Sequence, residues 1–219
     1  MYYRRPNARN RVRPSQIPAR GRWPRGGATE VRVRPGRAGD LPQIVRIYNA
    51  YVERSPATFE IDPVHPRDRL PWLRVHSSGG RHRLLVAAEG PRIVGWATTS
   101  AFRPRAAYET TVEASVYCAE DRRGRGIGSR LYRSLFDAIA GEDIERIVAG
   151  VTLPNPVSVR LHHRFGFRRV GTFHRVGRKF DRYWDVAWFE RPLRAASTPA
   201  DRTGARSPSR TRGPTTETL

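Results

Sequence analysis

The sequence predicts an α/β fold in which a mixed sheet is flanked by helices. Two observations carry that prediction. Strand-like and helix-like apolar patterns alternate from about residue 30 to 194, in the order β-α-α-β-β-β-α-β-α-β-β, about seven strands and four helices. The ends outside that span are rich in Arg, Pro, Gly, Ser and Thr and carry no apolar periodicity, so the middle alone can bury a core. Residues 1–29 and 195–219 are therefore read as disordered tails on one domain, residues 30–194.

The elements follow in order. Val31-Arg32-Val33 is a short first strand. Asp40 offers an N-cap, with Pro42 in the first turn, to a helix carrying Leu41, Ile44, Val45, Ile47, Tyr48 and Val52 at helical spacing. A second helical stretch begins near Pro66, is interrupted by Pro71 and stops before Gly79-Gly80. Three strand-like runs follow, at 84–88, 93–102 and 111–118, with Gly90-Pro91 as a turn. In the third run Thr111, Glu113, Ser115 and Tyr117 share one face, while Val112, Ala114, Val116 and Cys118 share the other. A glycine-rich turn opens a helix over about 126–140. A buried-type strand at 147–151 precedes Asn155-Pro156, which signal the N-cap and first turn of a helix ending at Gly166. Two last strands are expected at about 167–175 and 179–190.

Composition excludes some classes and leaves others open. The single cysteine, Cys118, rules out an internal disulfide framework and suits a reducing, cytoplasmic compartment. No run reaches the roughly 18 apolar residues of a membrane span, and no apolar stretch follows the basic N-terminus as in a secretory leader. The formal charge is +21, of which +8 lies in residues 1–29 and +2 in 196–219. Such charge attracts phosphate as nucleic acid, anionic membrane or phosphorylated cofactor. The Arg-rich arm is thus a tether for nucleic acid or a solvated end.

The sharpest motif is Arg122-Arg123-Gly124-Arg125-Gly126-Ile127-Gly128, after a strand and opening a helix. Small residues let the chain turn tightly and bring several N–H groups to an anion, and the helix start and flanking arginines add positive potential. It is a pyrophosphate cradle by its chemistry. No Gly-Lys-Ser/Thr follows, so it is not a Walker A loop. Ser129 stands where a dinucleotide fingerprint needs its third glycine.

The spacing Arg123-x-x-Gly126-x-Gly128 resembles the diphosphate-binding loop of the GNAT acetyltransferases. Within them the chain resembles the phosphinothricin (methionine sulfoximine) acetyltransferase group, through an ordered series of segments. These are Ile47-Tyr48-Asn49, Thr58-Phe59-Glu60, the run from Phe102 to Tyr108, the run from Thr111 to Tyr117, the glycine loop, the run from Leu153 to His162, Phe165-Gly166-Phe167, the run from Val176 to Phe180, and Trp184-Asp185. The resemblance implies a mostly antiparallel sheet whose fourth and fifth strands splay apart around acetyl-CoA. Backbone groups of Val116, Tyr117 and Cys118 would pair with its pantetheine arm. Arg123, Gly124, Arg125, Gly126, Ile127, Gly128 and Ser129 would wrap its diphosphate, and Asn155 would lie beside it.

Acetyl transfer to an amine needs a base for the ammonium, polarisation of the thioester carbonyl and a proton for the leaving thiolate. Glu113 matches the group's catalytic glutamate. His162 matches a histidine assigned a proton-transfer role, and an imidazole titrating near 6.5 suits either duty. His163 points elsewhere on the helix, which argues against a two-histidine metal site, and no metal is expected. Cys118, on the apolar face of its strand, reads as packing rather than as a nucleophile. Arg105 and Tyr108 match substrate-contact positions, Phe59 would wall the pocket, and Arg103 reads as a solvated loop residue. Ala114 stands where the group often has His or a hydroxyl, which leaves the identity of the amine open.

The expected activity is therefore acetyl-CoA-dependent acetylation of a small amino-acid-like amine. The alternatives are acetylation of protein N-termini or polyamines, or a nucleic-acid-associated protein with a basic arm. The aromatic last strand (Tyr183, Trp184, Trp188, Phe189) offers a homodimer contact, which a filled core explains equally well.

Overall fold

A computed structural model describes residues 30–76 and 79–193; the expected tails at 1–29 and 195–219 lie outside them. The strands are β1 (Val31–Pro35), β2 (Leu84–Glu89), β3 (Arg92–Ala101), β4 (Thr111–Cys118), β5 (Arg146–Leu153), β6 (Arg168–Lys179) and β7 (Arg182–Pro192). The helices are α1 (Leu41–Arg54), α2 (Leu70–Arg74), α3 (Ile127–Ile139) and α4 (Pro156–Arg164). One seven-stranded sheet runs β1-β2-β3-β4-β5-β7-β6, antiparallel except between β4 and β5.

Each face of the sheet has its own core. Helix α3 repeats apolar residues every three or four positions, so Ile127, Leu131, Tyr132, Leu135, Phe136 and Ile139 form one buried stripe. That stripe covers Val94, Ala97, Val112, Ala114, Ile147 and Ala149, with α4 beside it. On the opposite face α1 presses Ile44 and Ile47 onto Val86, Ile93 and Trp96. Among the described residues no helix is long and apolar enough to cross a membrane.

The parallel pair is short. β4 and β5 share a ladder over Thr111–Glu113 and Arg146–Val148, and beyond it they run on through Cys118 and Leu153 without pairing to each other. This is the expected splay, and it leaves main-chain edges facing each other across an opening.

Three local expectations are corrected. Asp40 precedes α1 but makes no side-chain cap. Its carboxylate is taken by Arg34 in a two-pronged ion pair at 2.7 and 2.8 Å and by the Arg37 N–H. The second helical stretch is a 3-10 turn, Pro66–Arg69, running into a five-residue α2. The final hairpin turns at Phe180-Asp181, where both residues adopt positive φ, rather than near residues 176–178. Gly177 is instead within the β6 ladder opposite Trp184, under the ring of Phe59.

Candidate active site

The glycine turn lies at the wide end of the β4–β5 opening. Gly124 and Gly126 adopt φ near +76° and +75°, which a side chain would strain. Gly126 is the N-cap of α3, so the first N–H groups of the helix face away from the helical ladder. Ile127 anchors the turn in the core. A Cβ on Gly128 would meet Leu161 at 3.4 Å, so this glycine sets how closely α3 approaches α4 and β4. Arg122 is engaged, its guanidinium holding Glu89 at 2.9 Å and Asp121 at 2.7 Å. Arg123 lies over the Tyr51 ring at 5.0 Å, and neither it nor Arg125 pairs with a carboxylate among the described residues. The turn thus keeps two free cations and a helix start for an anion.

Ala119 donates to the Val94 carbonyl at 2.9 Å, which marks a hydrogen-bonded pair of the β3–β4 ladder. By alternation Val116 and Cys118 turn their main-chain groups toward the opening, while those of Tyr117 face β3. Of the three residues expected to meet a pantetheine arm, Tyr117 is thereby committed elsewhere. Both main-chain groups of Cys118 are engaged by one hydroxyl: Tyr51 accepts its N–H at 3.3 Å and donates to its carbonyl at 2.8 Å. The Cys118 thiol is pushed up to about 11 by burial, out of the range of a nucleophile at neutral pH.

Glu113 stands at the last rung before the strands part. Ser115 and Tyr117 share its face, toward α1 and α2, whereas Val112 and Ala114 are in the α3 core. Burial raises its pKa above the ordinary carboxylate value, and the positive charge of Arg103 opposes that rise. No hydrogen bond or ion pair to its carboxylate occurs among the described residues. Two cavities lie to either side of it along the strand. One, about 150 Å³, is bordered by Ser115 and Tyr117; the other, about 360 Å³, is bordered by Thr111, Arg103, Arg105 and Tyr108. The two predicted substrate contacts, Arg105 and Tyr108, are thus brought together on the Thr111 side. Phe59 is not in either cavity, since its ring packs on Gly177.

His162 is not brought to Glu113. It is 3% exposed among Tyr132, Phe167 and Phe189, in the core of the opposite face. Its Nδ1 lies 2.8 Å from the Ser158 carbonyl and must donate, so Nε2 accepts the Tyr132 hydroxyl at 3.0 Å. Burial lowers its pKa, so it is a neutral imidazole with both nitrogens used. Asn155 accepts the Ser158 N–H at 3.1 Å through Oδ1 as the N-cap of α4, which leaves its amide nitrogen for other partners.

Several site residues escaped the sequence reading. Trp96, Thr98 and Ser100 alternate on β3 and line the smaller cavity, a period-two signal that was available. His76 donates from Nδ1 to the Trp72 carbonyl at 2.7 Å, so its Nε2 accepts the Ser100 hydroxyl at 3.1 Å. Ser100 is directly opposite Glu113 in the ladder. Arg69 ends the 3-10 turn that leads into α2, a helical stretch the sequence marked without marking this side chain as part of a site.

Comparison with known proteins identifies the family. The model of the acetyltransferase (GNAT) family matches residues 44–167. A phosphinothricin N-acetyltransferase of Streptomyces coelicolor is 55% identical over 169 residues, 76% of this chain and 99% of the relative. An L-methionine sulfoximine/L-methionine sulfone acetyltransferase of Pseudomonas paraeruginosa is 31% identical over 158 residues, 72% of this chain and 92% of the relative. Among solved structures, a phosphinothricin acetyltransferase from Sinorhizobium meliloti in complex with acetyl-CoA superposes with a TM-score of 0.70. It is 32% identical, covering 74% of this chain and 88% of that one.

Proposed function

The chain belongs to the acetyltransferase (GNAT) family and is an acetyl-CoA-dependent N-acetyltransferase, and from that premise we propose that its acceptor is the α-amino group of a small amino acid of the phosphinothricin or methionine sulfoximine kind. The observation that carries the reading is Glu113: half-buried, without a hydrogen-bonding or ionic partner among the described residues, and placed where β4 and β5 separate. A carboxylate so placed is a base whose proton affinity is raised toward that of its task.

In this reading the diphosphate of acetyl-CoA is held by the N–H groups at the start of α3 and by Arg123 and Arg125. Its arm lies along the edge of β4 at Val116. Glu113 takes a proton from the substrate ammonium, directly or through one water. The freed amine attacks the thioester carbonyl, the C–N bond forms, the C–S bond breaks, and the thiolate leaves to take up a proton. Arg105 and Tyr108 hold the substrate carboxylate. Ser100, whose own proton is committed to His76, accepts from the ammonium beside Glu113. Placement of the two substrates supplies much of the acceleration, since no covalent enzyme intermediate is needed. His162 is assigned here to holding Tyr132 and α4 in place, as a positioning residue. The reaction is placed in the cytoplasm, in keeping with a lone, unpaired thiol.

The test is release of CoA with phosphinothricin, methionine sulfoximine, methionine sulfone and ordinary amino acids as acceptors. Turnover of at least one acidic or oxidised amino acid is expected. Failure with all of them, or a polyamine as the preferred acceptor, overturns the reading.

A further inference from the structure

We propose that Ser100 and His76 form a second proton path of the reaction: Ser100 takes a proton from the substrate nitrogen and hands its own to His76. Ser100 is then a catalytic residue, and His76 is the positioning residue and proton acceptor behind it. The proposal rests on the functional reading above, in which the amine is held at Glu113, and it gives that single base a partner.

Stoichiometry supplies the first argument. A nitrogen that enters as an ammonium and leaves as an amide gives up two protons. The first must go before the nitrogen can attack. The second goes after the C–N bond forms, when the nitrogen is positively charged again. The departing thiolate takes up one of the two, and the other reaches water. A carboxylate holds one proton at a time, so while Glu113 keeps the first, the second needs another exit.

Geometry supplies the second. Ser100 lies directly opposite Glu113 in the β3–β4 ladder, so both side chains share the face toward α1 and α2, with Cβ atoms about 5 Å apart. No hydrogen bond joins them among the described residues, and a nitrogen about 2.8 Å from each oxygen bridges a gap of that size. Ser100 borders the smaller cavity, and His76 stands behind it, 9% exposed. The Trp72 carbonyl fixes the His76 proton on Nδ1 at 2.7 Å, which leaves Nε2 bare for the Ser100 hydroxyl at 3.1 Å. Burial, and after it the nearby charge of His82, lower the pKa of His76, while the Trp72 carbonyl opposes them, so the ring waits as a neutral acceptor. As the substrate N–H bond breaks and its proton bonds to Ser100 Oγ, the Ser100 O–H bond breaks and that proton bonds to His76 Nε2. The serine ends as it began. The imidazolium is steadied by the Trp72 carbonyl at Nδ1 and by the Trp72 ring, 4.7 Å away between centroids, and then discharges to water. Glu113 gives its proton to the leaving thiolate, which balances the reaction.

The path is tested on the rate of acetyl transfer in a single turnover, with acetyl-CoA bound and methionine sulfone as acceptor. Ser100→Ala and His76→Ala are each expected to slow that rate by about a hundredfold, the lower end for a lost proton-transfer group. The double variant is expected to be no slower than either single one, because the two side chains act as a unit. Ser100→Thr, which puts the hydroxyl back, is expected to recover most of the loss. In mixtures of H2O and D2O the wild-type rate is expected to follow a bowed line, since more than one proton moves in the step. Either alanine variant is expected to straighten it, a change that loss of packing alone would not produce. The wild-type measurement needs no variant to fold. A straight wild-type line, a Ser100→Ala protein as fast as wild type, or losses that multiply in the double variant overturn the relay and leave Glu113 as the sole base. A wild type that releases CoA with no amino acid overturns the functional reading on which the relay rests.

Discussion

One face of the sheet is covered by α3 and α4 over aliphatic and aromatic side chains, and the other by α1 and α2 over rings, hydroxyls and a guanidinium. Each face holds a titratable group drawn at least partly out of water. His162, in the first, has a donor and an acceptor for its two nitrogens, so its burial is compensated. Glu113, in the second, is partly withdrawn from water without a hydrogen bond in return among the described residues, and its proton is held more tightly. His162 is fully enclosed and paired, whereas Glu113 is half-enclosed and unpaired among the described residues, and that contrast is what favours Glu113 over His162 as the proposed base.

The comparison is broken most directly by Glu113→Gln. Loss of a general base costs about a hundredfold or more in kcat, and calorimetry should find acetyl-CoA affinity unchanged. A variant that keeps wild-type turnover would leave Glu113 no better founded than His162.

His162→Leu should lower stability by about 2 kcal/mol, because it leaves the buried Tyr132 hydroxyl and Ser158 carbonyl without their partner. The sign of its pH dependence follows from the lowered pKa. The unfolded chain binds the proton below the ordinary value of 6.5 and the folded chain resists it, so stability falls as pH drops through 6.5. The leucine variant should flatten that acid-side loss in denaturant titrations, which His76, also held neutral by burial, will only partly sustain. Disappearance of a limb from the pH profile of kcat would instead make His162 a titrating participant.

Gly126→Ala should cost about 1 kcal/mol, since the residue is held near φ +75°. It should weaken acetyl-CoA binding more than substrate binding, read as separate KM values. The smallest effect is expected of Arg103→Gln. Its cation favours ionised Glu113, so its removal raises that pKa further and moves the acid limb of kcat/KM upward. A downward move would assign the limb to another group.

Much of this could be read along the chain because it depends on local period and turn chemistry. The alternation of β4 placed Glu113 apart from Val112 and Ala114, and Asn155-Pro156 announced α4 correctly. Asp40 misled because a cap and an ion pair ask for the same side chain, and only the nearness of Arg34 decided between them. The sequence pattern parts the two last strands between 175 and 179, whereas Gly177 lies within the β6 ladder, its missing Cβ required by the Phe59 ring, 2.3 Å from where that atom would be.

By itself the sequence determined the order of elements, the diphosphate-type turn and the strand that carries the carboxylate, because neighbours a few residues apart settle those. Only the tertiary structure decided that the half-buried carboxylate of Glu113 is left without a partner among the described residues. It alone joined Arg69, Trp96 and Ser115 around one recess and showed Tyr51 capping the end of β4. Hydrogen-bond satisfaction and cavity walls are made by residues distant in the chain, and no local pattern encodes them.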